Sequence, residues 1–212
     1  MRLKICSIVS LLFALAVVYV IGAKVEANKN GSSSARYQGQ HVSDFDDRDD
    51  RFDDFESRVR KGFAIAPVPL NLKGKNRDLV GLGSYLVNAV AGCNDCHTCP
   101  SYDPNDNPYR GQPGKVNAQN YLAGGVPFGP FVSRNITPDA SGKPAGMTFE
   151  EFLHVMRTGE DIEHEHPQFG PLLQVMPWPV YRHMNERDIR AIYEYLRAIP
   201  HAEPGVCSGA GQ

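Results

Sequence analysis

Apolar positions follow a helical period in three separate stretches of the chain. In 76–93, "NRDLVGLGSYLVNAVAGC", Leu79, Leu82, Leu86, Val87 and Val90 recur at the spacing of one helix face. Gly81 and Gly83 interrupt that stretch. Each glycine costs about 1 kcal/mol against alanine mid-helix, so a close backbone contact is expected to compensate. A second helix is expected to begin at Thr148, where "TFEE" sets Thr148 and Glu151 three apart as a capping box, and to stop at Gly159. The third is capped by Asn185, carries Ile189, Ile192, Tyr193 and Leu196 as one stripe, and ends by Pro200. Residues 100–147 are rich in Pro, Gly, Asn and Asp and read as loop. With no internal repeat and no strand-rich region, the pattern predicts an all-α fold with long loops, large enough for one core.

The N-terminus has a different texture. A basic "MRLK" precedes a continuous apolar run over residues 5–23, and "VEA" ends at Ala27. Residues 1–27 read as a signal peptide or an N-terminal membrane anchor. The run exceeds the usual signal core of roughly 7–15 residues and is long enough to span, which takes about 17–25. Residues 28–60 are polar and then mostly Asp and Arg, and read as a disordered acidic tether. The folded domain is expected over 61–212. Export would place its cysteines in an oxidising compartment. A formal net charge of -2 gives no electrostatic reason to expect a nucleic-acid partner.

The chemistry concentrates in "AGCNDCHTCPSY", residues 91–102. Cys93, Cys96 and His97 match C-x-x-C-H, the spacing for covalent attachment of haem c. Two thiols three residues apart at a helix end can reach both vinyl groups on one porphyrin edge, and the adjacent imidazole then points at the iron. Cys93, Cys96 and Cys99 also read as C-x-x-C-x-x-C, part of an iron–sulfur pattern. That pattern wants a fourth cysteine followed by proline, whereas here Pro100 follows the third cysteine directly and position 103 is Asp103. A zinc ribbon wants a second close pair. A thioredoxin-like C-x-x-C wants a βαβ setting. Haem is the reading that remains. Cys99 and Cys207 are left over, either joined as a disulfide or as two unpaired thiols.

The second axial position has several candidates in Met147, Met156, Met176 and Met184. Met176 is favoured because Pro177 pushes it out of helical geometry and Pro177 and Pro179 stiffen its loop. A methionine is otherwise core filler. His164 and His166, in "DIEHEHPQFG", could hold a metal or serve as the second axial ligand, and more often such a run is a solvated loop. His154 and His183 are weaker candidates.

The motifs "GLGSYLVNAVAGCNDCHT", "SRNITPD", "GMTFEEFLHVMRTG" and "MPWPVYRHMNERDIRAIYEYLRAIP" resemble bacterial class I c-type cytochromes over about residues 61–200. They are most similar to cytochromes associated with membrane dehydrogenases of alcohols and sugar acids. The resemblance implies a cytochrome c-like helical domain around one covalent haem. It implies Cys93 and Cys96 as the thioethers, with His97 and Met176 as axial ligands. Ser133, Arg134, Asn135, Ile136, Thr137, Pro138 and Trp178 would line the haem, Arg134 beside a propionate. Gly83 and Tyr85 would lie where the first and last helices cross, opposite Tyr193 and Leu196. The implied function is one-electron transfer by a carrier rather than an enzyme. Its partners would be redox proteins or a membrane dehydrogenase or oxidase, in the periplasm, soluble or anchored to the inner membrane through residues 5–23. A haem enzyme or gas sensor with an open or displaceable distal site is the alternative, as is an electron-transfer subunit of a larger membrane dehydrogenase or oxidase. Dehydrogenase subunits of this group often carry three haem motifs, and this chain has one.

Overall fold

The computed structural model describes residues 49–163 and 167–207. The expected export segment and most of the expected tether lie outside them, as do His164 and His166. Six α-helices occur among the described residues: α1 (Asp49–Ile65), α2 (Arg77–Tyr85), α3 (Cys93–His97), α4 (Phe149–Thr158), α5 (Trp178–Tyr181) and α6 (Glu186–Leu196). A π-turn over Leu86–Val90 extends α2. One two-residue hairpin, β1 (Pro127–Phe128) with β2 (Phe131–Val132), interrupts the long loop. The architecture is helix-rich, compatible with the expected all-α class.

Asn76 caps α2, accepting from the amides of Asp78 and Leu79. The Thr148–Glu151 capping box forms at the start of α4, and Gly159 ends that helix at φ 72°. Asn185 caps α6, accepting from Asp188 N. These short polar side chains satisfy amides that the first helical turn leaves open.

The two glycines of α2 serve two different neighbours. A Cβ on Gly83 would run into the Ala191 backbone and the Tyr195 side chain of α6, so the helices touch backbone to backbone there. The partners at this crossing are thus Ala191 and Tyr195. Tyr193 instead packs edge-on to Phe149 and donates its hydroxyl to Met147 O at 2.9 Å. A Cβ on Gly81 would meet Val59 and Phe63 of α1.

The helix α1 crosses the expected domain boundary. It begins at Asp49 and runs through Lys61, where the folded domain is expected to start. Its outer face is stitched by i,i+4 pairs, Arg58–Asp54 at 2.6 Å and Arg60–Glu56 at 3.3 Å. Its inner face buries Val59 and lets Ser84 Oγ donate to Gly62 O at 2.7 Å. The mean polarity of this Asp/Arg-rich stretch hides an apolar face of Phe55, Val59 and Phe63. Arg187 of α6 and Arg77 of α2 cover Phe55 and Phe63, with the guanidinium 4.2 and 4.5 Å from the ring centroids.

A buried polar knot joins these helices just before the cysteine motif. Tyr121 donates to Asn88 Oδ1 at 2.5 Å, and the Tyr121 and Tyr195 hydroxyls lie 3.1 Å apart. Asn88 Nδ2 donates to Ser84 O and to Tyr195 Oη. A fully satisfied network of this kind rigidifies the core and fixes one arrangement.

Candidate haem-binding site

Gly92, at φ 62°, turns the chain out of the π-turn and into the five-residue helix α3. That helix holds Cys93, Cys96 and His97 against an apolar cavity of about 270 Å³. The far parts of the wall come from α4 and α6, through Phe152, Met156, Ile192 and Leu196, and from the 172–177 loop. Asp95, between the two cysteines, is held by two phenols. Tyr102 and Tyr109 donate to its two oxygens, each at 2.9 Å, and so pin the 100–117 loop to the motif.

The four cysteines among the described residues sort into two kinds. Cys93 and Cys96 are half-buried free thiols. Burial pushes the Cys93 thiol up to about 12, with the neighbouring Cys96 adding to the effect. Cys96 is raised by burial and then by Asp95. Cys99 and Cys207 form a disulfide with Cα atoms 5.5 Å apart. Cys99 is fully buried beneath the C-terminal tail, where a Cβ on Gly205 would collide with its carbonyl.

His97 Nδ1 lies 2.9 Å from Arg134 O. A carbonyl can only accept, so Nδ1 carries the proton and Nε2 keeps its lone pair. Burial lowers the imidazole's proton affinity, partly offset by that hydrogen bond. Two free thiols and one imidazole nitrogen therefore open from a single short helix onto an apolar cavity. This donor set fits haem attached through thioethers with a neutral histidine as ligand.

The segment 133–138 divides its residues between two neighbours. Ser133, Arg134 and Ile136 line the cavity. Asn135, Thr137 and Pro138 are expected there too, but they serve the tail instead. Asn135 Nδ2 donates to Ala202 O at 2.8 Å, Thr137 Oγ1 donates to Asn135 Oδ1 at 2.7 Å, and Pro138 O faces His201 Nδ1 at 2.9 Å. From Arg134 to Thr137 successive side chains alternate between the cavity and the tail, as in extended backbone. Arg134 also departs from expectation, since its guanidinium is paired with Asp161 at 2.5 Å.

Trp178 is not among the cavity-lining residues. Its indole covers Gly159 and donates Nε1 to Leu173 O at 3.1 Å, which fixes the loop leading to Met176. Met176 lines the cavity, and so do Met147 and Met156, both nearly fully buried. Met184 is not among the lining residues. His154 pairs with Glu160 at 2.6 Å. Asp161 is a lining residue that sequence reasoning does not find. The signal available is an acidic residue of "GEDIEHEH" within reach of an arginine in the lining segment.

No family model matches the chain, and no solved structure matches it significantly. Curated proteins do. The chain is 25% identical over 126 residues to "Alcohol dehydrogenase (quinone), cytochrome c subunit" of Gluconobacter oxydans, covering 59% of this chain and 25% of that protein. It is 30% identical over 149 residues to the protein of the same description in Gluconacetobacter polyoxogenes, covering 68% and 26%. It is 30% identical over 125 residues to "Gluconate 2-dehydrogenase cytochrome c subunit" of Pantoea cypripedii, covering 57% and 23%. The chain thus spans about a quarter of the length of these three relatives. The similarity to cytochrome c subunits of dehydrogenases supports a cytochrome c-like chain.

Proposed function

We propose that this chain is an exported electron carrier with one haem c, working beside or within a membrane dehydrogenase of alcohols or sugar acids. The observation that carries the reading is the placement of Cys93, Cys96 and His97 on one helix facing an apolar cavity that Met176 also lines. Cys93 and Cys96 would hold the macrocycle as thioethers. His97 Nε2 would be one axial ligand and Met176 the other. Bound there, haem supplies a one-electron Fe(III)/Fe(II) couple whose potential His/Met ligation raises.

The protein's own part is to orient and to exclude water. The Arg134 carbonyl fixes the tautomer and plane of His97. Apolar walls from α4 and α6 keep the local dielectric low. Three methionines on the wall favour a filled sixth position over the open one a haem enzyme or gas sensor needs. Exposed apolar residues surround the cavity, Val132, Phe169, Leu172 and Val175 among them. Such a rim suits brief docking of a redox partner, with interfaces below about 1,200 Å². Residues 1–27 would export the chain to the periplasm or, through residues 5–23, anchor it to the inner membrane. Among the described residues no helix is long and apolar enough to cross a membrane.

Replacing Met176 by Ala tests the ligand assignment. The oxidised variant should lose its methionine-to-iron absorbance and low-spin state, and its potential should fall. An unchanged spectrum and potential would refute Met176, and the same substitution at Met147 or Met156 would then locate the ligand.

A further inference from the structure

Arg134 joins two sides of the cavity. Its main-chain oxygen faces His97 Nδ1 at 2.9 Å. Its guanidinium reaches across to Asp161 Oδ1 at 2.5 Å and to the half-exposed Glu163 at 3.4 Å. Asp161 in turn belongs to the opposite wall. Its amide donates to Pro171 O at 2.7 Å, Glu160 bridges to Leu172, and Leu173 N donates to Gly159 O at 2.8 Å. The same 171–173 stretch leads directly to Met176. Arg134 and Asp161 both line the cavity, and Asp161 is only 7% exposed.

We infer that the Arg134–Asp161 pair is a charge-compensated brace, tying the His97 wall to the Met176 wall and holding the net charge of the cavity lining near zero. This rests on the haem reading above. A buried pair loses its compensation when one partner is neutralised, because the remaining charge stays in a low-dielectric wall. Asp161→Asn removes one negative charge from the lining, which disfavours the more positive oxidised iron and raises the potential. Arg134→Gln leaves a net negative charge and lowers it. The Arg134 carbonyl is main chain and survives the substitution, so the His97 hydrogen bond is not what the variant removes.

The test is a redox titration of the haem-loaded wild type, Asp161→Asn, Arg134→Gln and the double variant. The singles should move in opposite directions, each by about tenfold in the reduced-to-oxidised ratio at a fixed ambient potential, which is ~59 mV for one electron. The double variant should return close to wild type, and Asp161→Glu, which keeps the charge, should stay near it. If one single fails to accumulate, comparison of the other with the double isolates the missing charge. Shifts of the same sign, or none, overturn the inference. So does loss of haem from all the neutralised variants while the wild type stays loaded, since that marks a purely structural tie. A wild type that never binds haem instead refutes the functional reading itself.

Discussion

His97 Nδ1 and the main-chain oxygen of Arg134 are 2.9 Å apart, 37 residues distant in sequence. Because the acceptor is backbone, what protects this bond is the path of residues 133–134. Gly124 shapes that path. It sits at φ 74°, and a Cβ there would lie 2.5 Å from both Arg134 C and Ser133 O. Its amide also donates to His97 O at 2.7 Å. Replacing Gly124 with Ala should therefore cost more than about 1 kcal/mol, through strain at positive φ and displacement of Arg134. Thermal melts of the purified protein check the stability, and the visible spectrum checks the imidazole. A variant matching wild type in both would show that the segment tolerates the added methyl.

The disulfide closes a span of 108 residues and holds the tail over Cys99. Loss of a native cross-link from a small domain costs about 2–5 kcal/mol. The Cys99→Ser, Cys207→Ser double variant should lose that margin in unfolding free energy and show a lower urea midpoint. An unchanged midpoint would mean that the tail contacts of Asn135 and His201 suffice without it.

At the crossing of α2 and α6, Gly83→Ala forces the helix backbones apart. Overpacking of a tight contact costs about 1–3 kcal/mol, and the Ala191 backbone here has little room to give. Chemical denaturation measures the loss. Gly92→Ala provides a contrast, since nothing lies within 4 Å of a Cβ there and only its φ of 62° opposes the change.

The three periodic helices are legible in the sequence because each is a local signal, and so are the caps Thr148 with Glu151 and Asn185, which act within one turn; the Asn76 cap emerges only in the structure. The motif Cys93–His97 is legible for the same reason. What stays hidden is long-range. An extended segment such as 133–138 splits its residues between two sides, but only the placement of the tail decides that Asn135 and Thr137 serve Ala202. The Arg134–Asp161 pair is likewise set by tertiary approach. The helix α1 is obscured by composition, because Asp and Arg dominate the mean while Phe55, Val59 and Phe63 carry the packing.

His201 should give the tail a pH dependence. Glu203 at 3.2 Å and the Pro138 carbonyl both favour its charged form and raise its proton affinity above the ordinary value, about 6.5. A raised folded-state value means the contribution is fully present below that ordinary value and is lost as pH rises through the folded one. The side chain is half-exposed, so the effect is small and screened. Stability measured across mildly acidic to neutral pH should decline less steeply in His201→Gln than in wild type. Parallel profiles would rule His201 out as the source of any such dependence.

The most direct measurement of the central claim is whether haem stays with the polypeptide after denaturation in acidified organic solvent. Wild-type protein, produced with export and haem-attachment machinery, should retain one haem per chain. The Cys93→Ser, Cys96→Ser variant should release whatever haem it binds. Haem extracted freely from the wild type, or a chain isolated without haem at all, would contradict the assignment of Cys93, Cys96 and His97 as its attachment site.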